Sequence, residues 1–206
     1  MAHILHIDSS PRRENSYSRT FSNKFINFWK DGHPEDTVIY RDIGHEVLPY
    51  MNEKLFKAMF VAPEERSPEL VEAIKISDIF VDEFIAANRY VFAIPMFNFN
   101  VPAIFKAYID LIVRVNRTFA VVPEGYKGLL ENKKMLIITS RGDTYHSGSP
   151  MAAYDFQEPY LRTIFGFIGI TDITFIHIDS LMGDKNARTK SLEAANLKIN
   201  YTVTNW

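Results

Sequence analysis

Three short segments concentrate the side chains with chemical potential, and none pairs a nucleophile with a base. Residues 8–20, Asp8 followed by SSPRRENSYSRT, set Ser10, Ser16 and Ser18 beside Arg12 and Arg13 where a helical pattern begins at Tyr17. Helix starts carry unpaired N–H groups and partial positive charge, so hydroxyls and arginines there suit a bound phosphate. The same serines and Asn15 serve equally well as helix caps. No GxxxxGK[ST] run is present to hold Mg²⁺ for phosphoryl transfer, and no GxGxxG run to cradle a dinucleotide. A terminal phosphate that is held and not cleaved is the chemistry this segment supports.

The second segment, PMFNFNVP at 95–102, follows an apolar run and crowds Met96, Phe97 and Phe99 between two asparagines and two prolines. A turn that only reverses the chain is usually written with Gly, Asp or Ser. Met96, Phe97 and Phe99 would give a flat heterocycle an apolar wall, with Asn98 and backbone N–H groups at its polar edge. Alternatively, both phenylalanines pack into the core beneath the loop. Pro102 suits the first turn of the next helix, with Asn100 as its cap. In the third segment, TSRGDTYHSGSP at 139–150, Gly142 lets backbone approach a ligand closely. Arg141, Tyr145 and His146 could add donors where negative charge develops, and an ordinary polar loop is the alternative. His3, His6 and His177 fall in predicted strands, and no His/Asp/Glu cluster has metal-ligand spacing.

Elements at fixed intervals must position these segments. Strands are predicted at His3–Ile7, Thr37–Arg41, Tyr90–Ile94, Met135–Ser140 and Ile173–Ile178. Helices are predicted near Tyr17–Trp29, Glu53–Phe60, Glu69–Ala87, Val101–Val115, Ala152–Ile168 and Asp184–Asn200. Short β-rich runs alternating with amphipathic helices imply right-handed crossovers and a parallel sheet covered on both faces. The expected fold is α/β, a flavodoxin-like three-layer sandwich with five parallel strands in order 2-1-3-4-5, forming one domain over 1–206. Ligands of such sheets sit beyond the carboxyl ends of the strands, at the switch point between strands 1 and 3. The loops after strands 1, 3 and 4 are the three segments above.

Composition narrows the partners. The 206 residues are 47% hydrophobic with a formal net charge of −2 and no basic run, so neither nucleic acid nor an anionic membrane is expected. With no cysteine, disulfides and thiol chemistry are excluded. The opening MAHILHIDSS lacks the basic lead and apolar length of a secretion signal, and no apolar run reaches membrane-spanning length. A cytoplasmic protein is expected.

A phosphate site, an aromatic wall and a glycine-containing amide loop at one sheet edge together describe an FMN site. The chain also resembles the FMN-dependent NADH:azoreductases within the flavodoxin-like NAD(P)H:quinone reductases. The resembling pieces are SS…SYS at 9–18, PMFNFNVP at 95–102, AYIDLIVRVNRTF at 107–119, TSRG at 139–142 and PYL…GFIGIT at 159–171. The resemblance implies that Ser10, Ser16, Tyr17 and Ser18 hold the phosphate. It implies that Pro95, Met96, Phe97, Asn98 and Phe99, with Ser140, Arg141, Gly142 and Asp143, hold the isoalloxazine. Two positions depart from the family pattern. Asp143 replaces the second glycine of SRGG, bringing a carboxylate into a loop that meets the flavin. Asn116 replaces a glycine in R-x-G-x-TF, a mild change because Asn tolerates positive φ.

The implied reaction is two-electron transfer in two half-reactions through one pocket, with NADH as donor, NADPH as a further candidate, and quinones or azo compounds as flat acceptors. The chemistry would belong to the flavin, and Tyr145 and His146 are the side chains available to stabilise charge or relay a proton. The family's dimers imply a homodimer whose substrate pocket involves Phe60, Phe119 and Phe167. Leu55, Phe56, Met59 and Phe60 form an apolar stripe suited to that interface. The competing classes are a flavodoxin-like electron carrier, for which the near-neutral charge supplies no acidic docking face, and a flavin-binding regulatory module without turnover. A phosphate-ligand domain without flavin is a third.

Overall fold

The computed structural model describes residues 1–206. In chain order the elements are β1 (His3–Asp8), α1 (Tyr17–Gly32), β2 (Thr37–Asp42), α2 (Glu53–Phe60), α3 (Pro68–Ala86), β3 (Arg89–Pro95) and α4 (Ala103–Ile112). Then come β4 (Phe119–Val122), β5 (Gly125–Gly128), β6 (Lys134–Ser140), α5 (Gln157–Phe167), β7 (Asp172–Ile178) and α6 (Lys185–Asn205).

Period-two alternation in the central strands makes the layers. Tyr90, Phe92 and Ile94 of β3 join one core cluster, while Val91 between them joins the other. Likewise, Met135 and Ile137 of β6 face the first cluster and Leu136 and Ile138 the second. Such strands are buried on both faces, as parallel strands with helices on either side must be. Helices α3, α4 and α5 cover the first face through Phe80, Phe84, Phe105, Tyr108 and Phe165. Helices α1 and α6 cover the second through Phe25, Trp29, Ala195 and Ile199.

The parallel sheet has the order β2-β1-β3-β6-β7. The expected order 2-1-3-4-5 is thereby corrected to 2-1-3-6-7. Two short strands absent from the sequence expectation, β4 and β5, pair antiparallel in a sheet of their own. Gly125, at φ +127°, turns that hairpin where few other residues could. Helix α4 also ends at Ile112, before the expected Val115, which bridges to Phe119 instead. The helix expected from Ala152 begins at Gln157 because Asp155 Oδ1 accepts from the amides of Gln157 and Glu158 at 3.0 and 3.1 Å. Helix α4 starts after Pro102, and Asn100 accepts from the Val101 amide next to it rather than capping the helix.

Register brings the strand ends level: Asp8 pairs with Ala93 and Asp42, and Ser140 with Pro95 and Ile178. The loops after β1, β3, β6 and β7 therefore open onto one edge. No helix is long and apolar enough to cross a membrane.

Candidate functional site

Those loops enclose a cavity of about 300 Å³, at the small end of the usual ligand-pocket range. Ser10, Ser16 and Tyr17 line it from the β1 side, Pro95, Met96 and Phe97 from β3, and Ser140, Arg141 and Gly142 from β6. The three segments singled out by sequence thus meet in one place.

On the β1 side, Ser9 is pinned to β3 by its amide and hydroxyl, which donate to the Ala93 carbonyl at 3.1 and 2.9 Å. Asn15 takes φ +55°, a conformation Asn tolerates, and delivers the chain to Ser16 at the N-cap of α1. Ser16 makes no side-chain cap, and its hydroxyl lies 3.5 Å from that of Ser18. Of the two readings left open by sequence, capping is therefore absent. The amides and hydroxyls at the start of α1 remain available to an anion. Ser18 is fully buried and lies behind Ser16 rather than in the cavity wall.

The β3 loop is a tight two-residue turn. Phe97 and Asn100 exchange amide-to-carbonyl bonds of 2.9 and 3.0 Å, and the central Asn98 and Phe99 both take left-handed φ values of +48° and +68°. Asn suits such a position, but a bulky aromatic at positive φ costs on the order of 1–3 kcal/mol and signals an outside constraint. Phe97 and Phe99 are 44% and 39% exposed, so neither packs into the core beneath. The turn holds aromatic surface at the sheet edge: Phe97 walls the cavity, while Phe99 reaches Tyr154 at 5.2 Å between centroids. Asn98 and Phe99 lie at the turn's tip, outside the cavity lining, because the reversal carries them past Phe97.

The β6 loop departs most from expectation. Arg141 is 2% exposed, and its guanidinium forks onto Asp179 at 2.6 and 3.1 Å and reaches Asp155 at 3.0 Å. Two carboxylates compensate its charge, and the guanidinium braces the loop. Asp143 is exposed and outside the cavity lining; its Oδ1 accepts from the Thr144 amide at 2.7 Å. His146 is exposed too, its Nδ1 2.8 Å from the Ser147 carbonyl. Tyr145 is buried, with burial first and the Asp143 charge second raising its phenol above the ordinary range. It lines the neighbouring cavity beyond Gly142. Neither Tyr145 nor His146 touches the first cavity, because the chain turns away after Gly142 to meet the loop after β7.

Phe60, Phe119 and Phe167 do not line the cavity either. Helix α4 runs back from the β3 end, so the residues after it lie towards the other end of the sheet, where the Leu130 amide donates to the Ile168 carbonyl at 2.9 Å. There Phe119 packs on Phe167 at 4.9 Å and on Tyr126 at 6.1 Å. Phe60 stands on α2, 65% exposed, against Phe56. Asn116, in place of the family's glycine, does take positive φ, at +59°. Arg12, Asn15, Leu181 and Met182 complete the lining. The last two come from the loop after β7, whose position at the same edge was the available signal.

A three-layer parallel sheet with an uncapped helix start and an aromatic turn at its switch point defines a flavodoxin-like protein. The sequence profile of the flavodoxin-like fold matches residues 2–201. The FMN-dependent NADH:quinone oxidoreductase of Nostoc punctiforme is 56% identical over 206 residues, covering all of both chains. The crystal structure of an azoreductase from Bacillus anthracis strain Sterne superposes over all of both chains with a TM-score of 0.93 at 27% identity. An FMN-dependent NADH-azoreductase of Bacillus anthracis strain Ames Ancestor, solved in complex with FMN, shares the fold with a TM-score of 0.88 at 23% identity over 98% of each chain. The chain belongs to the flavodoxin-like family of FMN-dependent NADH:quinone oxidoreductases.

Proposed function

We propose that this protein, as one FMN-binding domain over 1–206, is an FMN-dependent NADH:quinone oxidoreductase that also cleaves azo compounds reductively. The observation that carries the reading is the meeting, in one cavity, of the uncapped α1 start with the Met96–Phe97 wall. These residues fit FMN: a helix start with free amides takes a doubly charged phosphate, and an apolar wall beside backbone donors takes a flat ring with a polar edge. Ser10, Ser16, Tyr17 and the amide of Ser18 would hold the phosphate. Pro95, Met96 and Phe97 would hold the ring on one side and Ser140, Arg141 and Gly142 on the other, with Asn98 and Phe99 at its rim. Asp143 lies next in line but is turned outward.

When bound, FMN supplies the two-electron redox chemistry. The chain's own task is to orient the ring, keep one face open to flat molecules and present backbone N–H groups where charge develops. No side chain is assigned a catalytic role, Tyr145 and His146 being outside the cavity. NADH is the proposed donor, with NADPH tested beside it, in a cytoplasmic setting.

The proposal includes a homodimer. Phe56 and Phe60 on α2 and Val121 and Tyr126 on the hairpin are large apolar groups 57 to 69% exposed, more than a lone chain usually leaves in patches. A two-fold interface would use the same patch twice and would bring Phe60, Phe119 and Phe167 of one chain towards the cavity of the other. Light scattering should report twice the 23.8 kDa chain mass. A fully active monomer would end that part of the reading. For the activity, purified protein should carry a flavin absorbance band and oxidise NADH steadily once a quinone is added. Flavin without turnover would favour the electron carrier or regulatory module instead.

A further inference from the structure

The phosphate loop is gripped from behind. The carbonyls of three successive residues, Ser10, Pro11 and Arg12, all meet one polar cluster under the end of β1. Arg19 Nη2 donates to the Ser10 carbonyl at 2.9 Å, Arg19 Nε to the Arg12 carbonyl at 3.2 Å, and His45 Nε2 lies 3.1 Å from the Pro11 carbonyl. A trans peptide sets its N–H opposite its C=O, so drawing the Pro11 and Arg12 carbonyls to one side turns the Arg12 and Arg13 amides to the other, while the Ser10 carbonyl, followed by proline, only anchors the chain. The Arg12 amide then donates to Ser10 Oγ at 3.2 Å, which leaves the Ser10 hydroxyl proton free for a ligand.

The grip is itself fixed. Asp42 takes both terminal nitrogens of Arg19, at 2.9 and 2.8 Å, and lies 3.0 Å from His45 Nδ1. Asp8, fully buried, takes Arg19 Nη1 at 3.0 Å and the hydroxyls of Tyr40 and Ser22 at 2.8 and 3.0 Å. Gly44 presses its backbone onto the loop so closely that a Cβ there would sit 2.2 Å from the Ser10 oxygen. Two carboxylates already compensate the Arg19 charge, so long-range attraction of a phosphate does not account for this arrangement.

We propose that Arg19 and His45 are positioning residues for phosphate binding. They hold the 10–12 carbonyls backwards so that the loop's donors face the cavity, without themselves touching the ligand. This rests on the FMN reading above, and the test separates the two. Affinities of the apoprotein for FMN and for riboflavin, which lacks only the phosphate, are measured by flavin fluorescence for the wild type, Arg19→Lys, His45→Ala and His45→Gln. A lysine keeps the charge but is a single point donor that cannot bridge two carbonyls and a carboxylate.

The expected wild-type preference for FMN over riboflavin should fall about tenfold or more in Arg19→Lys, the scale of one lost charge-assisted hydrogen bond. It should fall less in His45→Ala and be partly restored in His45→Gln, whose amide can donate to Pro11. Riboflavin affinity should hold in all of them. A wild type that binds both flavins equally removes the phosphate reading and this inference with it. A wild-type preference for FMN that survives in the variants overturns the inference alone, as does an equal loss for both flavins. Should Arg19→Lys fail to fold, the His45 pair decides, since that side chain is 22% exposed and its loss leaves the Arg19–Asp42 fork in place.

Discussion

Helices α1 and α6 start at the same edge of the sheet, yet they treat their unpaired amides in opposite ways. At α6, Asp184 accepts from the Ala187 amide at 2.8 Å, and at α2 Asn52 does the same for Leu55 at 3.0 Å. At α1 the N-cap is Ser16, a residue well able to cap, and its hydroxyl makes no such bond. A missing cap forgoes about 1 kcal/mol of helix stability. The two starts differ in what faces them: α1 opens into the cavity, and α6 does not supply a residue to it. An anion in that cavity would meet the donors of α1 and recover the lost stability. The contrast therefore separates a helix start closed within the fold from one left open towards the cavity.

The sharpest way to break the contrast is to give α1 the solution used at α6. Ser16→Asp should cap the helix and raise the apoprotein's stability by about 1 kcal/mol, helped by the helix dipole. It should also set a carboxylate against the phosphate and weaken FMN binding by about 3 kcal/mol or more, roughly a hundredfold or beyond. Thermal melts of apoprotein and FMN titrations read the two arms separately. Unchanged FMN affinity would place the phosphate elsewhere.

Removing the hydroxyls without adding charge is milder. Ser16→Ala should weaken FMN binding by roughly 1–3 kcal/mol, the scale of a lost hydrogen bond to a charged group, while Ser18→Ala, whose hydroxyl lies behind Ser16, should add little. The apoprotein's melting temperature should barely move, because no cap bond is lost. Flavin retained through dialysis as in the wild type would count against the assignment. The mirror experiment is Asp184→Ala, which should cost about 1 kcal/mol of stability, or about 2–4 °C in a chain of this size, with FMN affinity intact. If Asp184→Ala released flavin, the α6 start would be part of the site and the contrast would fail.

Much of this was legible because it rests on local pattern. The apolar alternation of 90–94 and 135–140 marks buried strands, and strand order then dictates which loops share an edge. Serines before Tyr17 could be read as a site because they fall at a helix start beyond a strand end, and aromatics after Pro95 because they are poor choices for a plain turn. What was not legible depends on partners distant in sequence. Arg141 was legible as a residue of the site, but not that Asp155 and Asp179, 14 and 38 residues away, hold its guanidinium. The grip of Arg19 on Ser10 and Arg12 depends on Asp42, delivered by a neighbouring strand. The β4–β5 hairpin had a signal, Pro123-Glu124-Gly125 between two short β-rich runs, which the regular β-α alternation of the rest of the chain masks.

Asp143 is where the smallest effect is expected, and it tests the edge of the site. By sequence it stands in the loop that meets the flavin, where a carboxylate would oppose negative charge on the reduced ring and lower the potential. In the fold its Oδ1 is bonded to the amide of the next residue and the side chain is exposed. A unit charge in water about 10 Å from the ring would contribute only about 0.4 kcal/mol before salt screening, or about 10 mV for a two-electron couple, and less with it. Asp143→Gly should therefore raise the FMN midpoint potential by no more than about that amount. Potentiometry of the two proteins side by side resolves a difference of this size. A rise of about 30 mV or more, equivalent to roughly 1.4 kcal/mol, would mean that the carboxylate leaves Thr144 and turns to the ring when FMN binds. The loop after β6 would then be a moving part of the site, and the boundary drawn at Gly142 would have to be moved outward by one residue.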